Sequence, residues 1–419
     1  MTTTTTTTAG GIQAVKPTVS SHLRDYWARV RGGDLGSLPA VLGLLVLFLI
    51  FSTARTDTFL SALNFANLFN QGAQVTFIAM GLVFVLLLGE IDLSAGYASG
   101  VCGAVMAILL TNKGMEWYVA IPAAMITGII IGFSIGLLVA KLGIPSFVVT
   151  LAAFLGFQGV LLTMLGGGKN VSITDEFVRA LNNDNLSVLW SWIFTIAAVV
   201  GYAVVQLNRY RRRTSRKLIT DPLGIVLLRI GGLAVLLIAA TLVLTQERAI
   251  NPAINSLKGV PIVVPIIAVA LVVWTFVLGR TTYGRHVYAV GGNSEAARRA
   301  GIPVDRIRIS VFVIGSFMAS IGGILIVSRA SSVDPNTGGS NILLYSVGAA
   351  VIGGTSLFGG KGKVVNAVIG GAVIAVIDNG MGLMGFSSGQ KYIFTGLVLL
   401  AAASVDALAR RRAASTGNR

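Results

Sequence analysis

Long apolar stretches separated by short polar connections run along the chain from Leu38 to Leu408. Most approach the roughly 20 residues that an α-helix needs to cross the hydrocarbon core of a bilayer. The pattern predicts an all-α polytopic membrane protein with about 12 transmembrane helices. The stretches cover residues 38–53, 73–88, 94–110, 117–140, 146–165, 187–206, 223–245, 260–279, 309–328, 343–358, 364–383 and 392–408.

The stretch at 343–358 differs from the others because it is short and rich in glycine. Two interpretations stay open: a full span, or a re-entrant or broken helix that neighbouring helices shelter from lipid. Composition supports a membrane protein as a whole. Charged residues make up 11% of the chain, which is less than half of the roughly 25% typical of soluble domains.

Basic residues set the predicted orientation. The chain has 32 lysines and arginines against 16 acids, and most of the basic residues fall on one side of the predicted spans. Because cytoplasmic loops are rich in lysine and arginine, both termini are predicted to be cytoplasmic. These loops would meet anionic lipid headgroups, and nucleic acid is not an expected partner. The predicted domains are a disordered cytosolic tail at 1–37, a membrane domain at 38–408 with a basic cytosolic loop at 207–222 and a second inner loop at 280–308, and a cytosolic tail at 409–419.

The inner loop at 280–308 carries a complete signal for a short helix. Asn293 or Ser294 provides an N-cap, Gly301 a left-handed end and Pro303 a stop. A helix of about two turns is marginal alone in water, so it needs a surface to pack against. It is either a connector pinned by its own membrane domain or a docking knob for a cytosolic partner. Its residues are Ser294, Glu295, Ala296, Ala297, Arg298, Arg299, Ala300 and Gly301.

Polar residues in or beside the apolar stretches are candidates for a substrate pathway, because a mid-membrane carboxylate costs about 2.5–3.5 kcal/mol on insertion scales. Asp92 and Ser94 begin a span, and Asp92 is expected to cap the following helix rather than contact a solute. Asp378 and Asn379 either line the pathway or bond neighbouring helices. The role of Glu90 stays open. Weaker candidates are Gln71, Gln74, Asn366 and Ser316, and Asp406 is expected to pair with Arg410 at the membrane edge.

Residues that would make an enzyme or a metal site do not come together in the sequence. Cys102 is the one cysteine, and His22 and His286 lie in polar segments away from acid clusters. A phosphate-binding loop needs a glycine, four residues, then Gly-Lys-Ser/Thr. The nearest sequence, at 359–362, has glycine in place of the hydroxyl residue. Catalytic residues, metal ligands and an ATP site are therefore not expected in this chain.

Three ordered segments resemble motifs of the sugar-importing ABC permeases of the ribose and xylose type. Residues 291–302, Gly-Gly-Asn-Ser-Glu-Ala-Ala-Arg-Arg-Ala-Gly-Ile, look like the coupling segment of that family. Residues 89–96 are similar to its Gly-Ile-Asp-Leu-Ser-Val-Gly signature, with Glu90 in place of the usual glycine. Residues 352–362 resemble its late Gly-Gly-Thr-Ser loop. The resemblance covers residues 65 to 408.

The resemblance implies a multi-pass permease of the bacterial plasma (inner) membrane, with a core of about 10 helices and a two-helix insertion around 207–222. That insertion favours the xylose-type members. The implied function is import of a monosaccharide, xylose or a similar pentose, with no cofactor on this chain. A separate cytosolic ATPase would hold ATP and Mg²⁺ and dock on the helix at 294–301. An extracytoplasmic sugar-binding protein and a second permease copy, as a homodimer, are the other implied partners.

Three alternatives stay open at this level. A secondary transporter driven by an ion gradient would use the membrane acids as its ion site and would need no ATPase. A membrane scaffold would transport nothing. Among ABC importers, a nucleoside or another small polar solute could replace the pentose.

Overall fold

The computed structural model describes residues 36–216, 220–249 and 256–415, together with residues 24, 218 and 251. For residue 406 and residues 409–415 it describes the backbone alone. The predicted disordered tail therefore lies outside the described residues except at 24, 36 and 37. The predicted pair between Asp406 and Arg410 lies outside them as well.

The described part of the chain consists of helices, short connections and two very short strands. In chain order the elements are α1 (Leu38–Ala54), α2 (Thr56–Phe59), α3 (Ala62–Leu87), α4 (Ala95–Thr111), α5 (Trp117–Lys141), α6 (Ser146–Met164), β1 (Val171–Ser172), α7 (Glu176–Asn183), α8 (Val188–Ser215), α9 (Leu223–Leu244), α10 (Val263–Arg280), α11 (Thr282–Gly292), α12 (Ser294–Arg299), α13 (Val304–Ala330), β2 (Ser332–Val333), α14 (Ser340–Ile352), α15 (Val364–Leu383) and α16 (Ser388–Ser415).

Each predicted apolar stretch overlaps one of these helices, which confirms the helical, membrane-type pattern, although residues 353–358 lie beyond the end of α14. Within the described residues, eight helices are long and apolar enough to cross a membrane. Three other apolar helices, α1, α4 and α14, are shorter. The eight long helices are α3, α5, α6, α8, α9, α10, α13 and α15.

The two segments predicted as cytosolic connections, at 207–222 and 280–308, contain more helix than the sequence indicated. The basic segment predicted as a loop at 207–222 continues α8 as far as Ser215. Residues 207–221 contain no glycine or proline, and arginine is a good helix former, so the helix can continue past its apolar part into this basic segment. The inner loop at 280–308 holds α11 as well as the predicted short helix. The predicted carboxyl-terminal tail is also helical up to Ser415.

Helix α3 begins well before the apolar stretch predicted at 73–88. The Ser61 hydroxyl accepts a hydrogen bond from the Asn64 backbone N–H at 3.2 Å and caps its first turn. The added turns carry amides, and Asn64 is 5% exposed. Asn64 and Gln71 of these turns bond Asn379 of α15, a contact that a hydropathy pattern does not detect.

Small residues let the central helices approach closely. Helices α3 and α13 cross at Gly81 and Gly315, where a methyl group on Gly81 would lie 2.7 Å from the Gly315 carbonyl oxygen. A methyl group on Gly132 of α5 would collide with the Phe312 carbonyl oxygen of α13. In lipid no hydrophobic driving force brings helices together, so close packing of this kind is needed to hold them.

Helices α4 and α14, of 17 and 13 residues, are shorter than the eight long helices and start in the interior of the bundle, and we call them the half-helices. Ala95, at the start of α4, clusters with Ala319 near the middle of α13 and with Leu343 of α14. A methyl group on Gly96 would lie 2.9 Å from the Leu343 Cβ. From this meeting point α4 runs towards β1, where the Thr111 hydroxyl donates to the Ser172 carbonyl at 2.7 Å. Helix α14 runs the opposite way.

The length and surroundings of α14 distinguish between the two interpretations of residues 343–358. Helix α14 has 13 residues and is therefore about 20 Å long, short of the roughly 30 Å of a bilayer core. Residues 334–339 precede it without helix or strand, and Gly338 has a positive φ of 75°. A methyl group there would collide with the Gly96 carbonyl oxygen. The element is a broken helix sheltered by α4.

The same layout occurs twice, in opposite directions. In the first half a long helix, α3, is followed by the non-helical residues 88–94, the half-helix α4 and a long helix α5. In the second half α13, residues 331–339, α14 and α15 repeat that order. Helices α8 and α9 pack on each other outside this core, joined by a buried Thr195–Thr241 hydroxyl contact of 2.6 Å.

The helical bundle has two ends. We call the end that carries α11 and α12 the knob face, and the end that carries β1, β2 and α7 the loop face. The strands pair antiparallel, with Val171 opposite Val333. At the knob face Gly36, just before α1, lies against Gly354, so α1 starts at the same end as α12.

Candidate functional site

The predicted short helix is present as α12 on the knob face. The Asn293 side chain, rather than Ser294, caps it by accepting a hydrogen bond from the Ala296 N–H at 2.9 Å. Gly301 ends it with a positive φ of 81°, as expected for a left-handed closing residue. Glu295 forms an exposed ion pair of 3.3 Å with Arg299 one turn later.

The residues of α12 divide into an inner and an outer side. Ala297 is 4% exposed and belongs to the hydrophobic core, so it holds the helix against the membrane domain. Ser294 is half-buried. The residues exposed at the surface are Glu295, Ala296, Arg298, Arg299, Ala300 and Gly301.

Helix α11, which sequence reasoning missed, fixes α12 to the bundle. The Tyr288 hydroxyl donates to the Gly362 carbonyl at 2.7 Å. The Tyr283 hydroxyl lies 2.8 Å from that of Ser310, and burial raises the pKa of Tyr283 to about 12, against a smaller opposing effect of the Ser310 contact. Both phenols therefore stay neutral near pH 7 and act as hydrogen-bonding groups. The sequence signal for α11 was the mixture of apolar and polar residues at 282–292, which is typical of a helix with one buried side.

The three sequence motifs meet at one glycine junction on the knob face. The Gly360 N–H donates to the Leu87 carbonyl at 2.8 Å. A methyl group on Gly291 would collide with that same carbonyl, and one on Gly359 would lie 2.8 Å from the Gly291 carbonyl and 3.0 Å from the Gly89 nitrogen. Gly359 has a positive φ of 83°. The glycines are needed because three backbones approach where side chains have no room.

Residues 88–94 lead from this junction into the bundle. Glu90 forms an ion pair with Arg308 of α13, with Oε1 3.2 Å from Nε, and the Glu90 side chain is 14% exposed. The Ile91 N–H donates to the Ser146 hydroxyl at 3.2 Å. These contacts tie the segment to the starts of α13 and α6. The structure thus pairs Glu90 with Arg308, a partner that the sequence did not indicate.

Asp92, for which a capping role was predicted, bonds Ser94, the residue directly before α4. Its Oδ1 accepts from the Ser94 N–H at 2.8 Å and from the Ser94 hydroxyl at 2.6 Å. Its Oδ2 has no hydrogen-bond partner among the described residues, although Asp92 is 1% exposed. The carboxylate therefore sits at the start of the half-helix α4 with one oxygen free to accept a further hydrogen bond.

The other predicted pathway residues lie elsewhere, near the loop-face end of α15. The Asp378 carboxylate contacts the Lys391 ammonium at 3.2 Å. The Asn379 side-chain amide donates to Asn64 Oδ1 at 2.8 Å and to Gln71 Oε1 at 3.2 Å. The five predicted residues thus form two groups rather than one. Of the weaker candidates, Gln74 and Ser316 keep buried oxygens without a partner among the described residues, and Asn366 lies 3.4 Å from the Thr355 hydroxyl.

We expect the ion pair between Glu90 and Arg308 to stabilise the fold measurably. In a double-mutant cycle with Glu90→Gln and Arg308→Gln, the expected coupling is about 1 kcal/mol, because the pair is largely buried. Thermal unfolding of the purified protein in detergent measures it. The matched control is the more exposed Lys141–Asp305 pair, whose lysine is 57% exposed, and its coupling should be smaller. Equal couplings would contradict the structural role of Glu90.

Comparison with known proteins identifies the family. Residues 64–403 match the family described as branched-chain amino acid transport system, permease component. The chain belongs to this permease family. The match includes the glycine junction, α12 and both half-helices. No solved structure matches the permease.

Two groups of curated relatives share most of the permease's length. It is 34% identical over 374 residues to the xylose transport system permease protein XylH of Escherichia coli (strain K12), which is 89% of this chain and 92% of that relative. The identity to XylH of Haemophilus influenzae is 33%, covering 87% and 94% of the two chains. The ribose import permease protein RbsC of Escherichia coli (strain K12) is 30% identical, over 88% and 92%. The resemblance stated from the motifs is confirmed.

Proposed function

We propose that this chain is the membrane-spanning permease subunit of an ATP-driven importer that carries a pentose into the cytoplasm, with xylose as the favoured substrate. The higher identity to xylose than to ribose permeases supports the choice of sugar. In this proposal all 12 apolar helices or half-helices belong to the membrane domain, both termini lie in the cytoplasm, and the knob face is cytoplasmic.

The observation that carries the proposal is the locked position of α12. The helix projects an exposed surface around Glu295 and Arg299, while Ala297 and the junction at Gly291 hold it to the membrane domain. A separate ATPase, which holds ATP and Mg²⁺, would bind that exposed surface. A short, rigid, anchored helix passes on the movement of a partner, whereas a loose connector would absorb it.

In the proposed mechanism the movement passes from α12 through Gly291 to residues 88–94 and so to Asp92. A sugar-loaded binding protein docks on the loop face, ATP binding draws the two ATPases together, and the permease exposes its pathway to alternate sides. Two permease copies face each other over the two ATPases. The sugar crosses without being modified, so no catalytic residue is needed in this chain.

Purification from the native membrane tests this function. We expect an ATPase to copurify with the permease, and xylose uptake by reconstituted vesicles to require ATP and the sugar-binding protein. Uptake that needs no ATPase and collapses on addition of an uncoupler would favour an ion-gradient transporter. Uptake of a nucleoside in place of pentoses would overturn the choice of substrate.

A further inference from the structure

A second polar group gathers near the loop face, where α14, α15 and α16 converge. The Asp378 carboxylate of α15 pairs with Lys391 of α16. The Asn341 side-chain amide, on α14, donates to the Tyr392 hydroxyl, and the Tyr345 ring of α14 lies beside the Tyr392 ring. We call these residues the loop-face cluster: Asn341, Tyr345, Asp378, Lys391 and Tyr392.

The cluster keeps binding capacity that its internal contacts do not use. The Asp378 side chain is 41% exposed and Tyr392 is 44% exposed. A carboxylate accepts about four hydrogen bonds, and an ammonium donates three. An ion pair that served stability alone would gain little at this exposure, because exposed pairs contribute about 0–1 kcal/mol.

The cluster continues inwards into buried amides. Asn379, next to Asp378, is 7% exposed, and its Oδ1 has no hydrogen-bond partner among the described residues. The same is true of the Asn70 Oδ1 on α3. A buried acceptor without a partner is costly unless a ligand or water supplies a donor.

We propose that the loop-face cluster is the site where a pentose released by the binding protein first binds the permease. Its chemistry fits a small polyol: a carboxylate and amides for hydroxyl donors, an ammonium for hydroxyl acceptors, and two tyrosine rings 6.4 Å apart between centroids for the apolar faces of the sugar. This inference rests on the proposed function and extends it to residues outside the sequence motifs.

The test uses the complete transporter, with its ATPase and binding protein, in vesicles supplied with labelled D-xylose and D-ribose. We expect Asp378→Asn to lower pentose uptake per ATP hydrolysed about tenfold, because it removes a charged hydrogen-bond acceptor. Tyr392→Phe should change the ratio of xylose to ribose uptake about threefold. Stimulation of ATP hydrolysis by the loaded binding protein should stay within a factor of about two, since α12 is untouched.

Matched controls lie on the same face. Asp57→Asn on the exposed first turn of α2 and Tyr118→Phe, 61% exposed on α5, should leave both quantities unchanged. Equal losses of xylose and ribose uptake with an unchanged ratio in Tyr392→Phe, and normal uptake per ATP in Asp378→Asn, would overturn the binding site. If the unsubstituted transporter takes up neither sugar although it hydrolyses ATP, the proposed function itself is wrong.

Discussion

Gly291→Ala is expected to lower sugar uptake by the assembled transporter at least about fivefold. The new methyl group would meet the Leu87 carbonyl oxygen and lie 3.1 Å from the Gly360 nitrogen. Both neighbours are backbone, so the junction has to open. Overpacking of this kind costs about 1–3 kcal/mol, which corresponds to about a 5- to 150-fold change in the coupling between two sites.

The adjacent glycine provides the control. Gly292 ends α11 one residue later, and an added methyl group there has nothing within 4 Å. Gly292→Ala should therefore transport normally, although the two substitutions are chemically identical. Uptake and sugar-stimulated ATP hydrolysis are measured for both variants after the amount of inserted protein has been matched. Equal activity of the two variants would show that the junction does not transmit movement.

Ala297→Trp is expected to separate ATP hydrolysis from uptake. Ala297 is packed on the inner side of α12, so a large ring must displace the helix from its position. The protein should still fold and insert, because α12 lies outside the membrane spans. Copurification of the ATPase should fall at least about fivefold if the displacement costs about 1 kcal/mol of binding free energy.

Ala297→Ser is the matched variant, since its side chain adds only a hydroxyl and should leave the position of α12 unchanged. Retention of the ATPase by both variants, with normal uptake, would mean that the position of α12 is irrelevant to coupling. Loss of insertion in Ala297→Trp would be recognised by its absence from the membrane fraction. In that case Ala297→Leu provides the smaller displacement.

Local signals predicted α12 well. Asn293, Glu295 and Gly301 each stand within a few residues of the feature they control, namely a cap, a first-turn acid and a left-handed end. The position of Asp92 beside the start of α4 was predicted for the same reason. Interactions that span two or three residues are readable in a sequence because the backbone geometry of a helix start is nearly fixed.

Contacts between distant segments were not predictable. Nothing near Glu90 indicates that its partner is Arg308, and nothing near Gly291 shows that Leu87 lies against it. Hydropathy also hid the first turns of α3, because Asn64 and Gln71 are polar residues that are satisfied by Asn379. The start of α4 was predicted within one residue. For the glycine-rich stretch at 343–358 the sequence left two interpretations open, because the packing of α14 on other helices is not visible in the sequence.

Cross-linking from α12 tests the central claim most directly. Cys102 is buried, so Ala296→Cys provides one exposed thiol for a photoactivatable maleimide probe, and Thr56→Cys at the loop face provides the control. In the transporter purified from the membrane, we expect the probe at residue 296 to join the permease to an ATPase, and the probe at residue 56 to give no such product. An ATPase adduct from residue 56, or none from residue 296, would contradict the account.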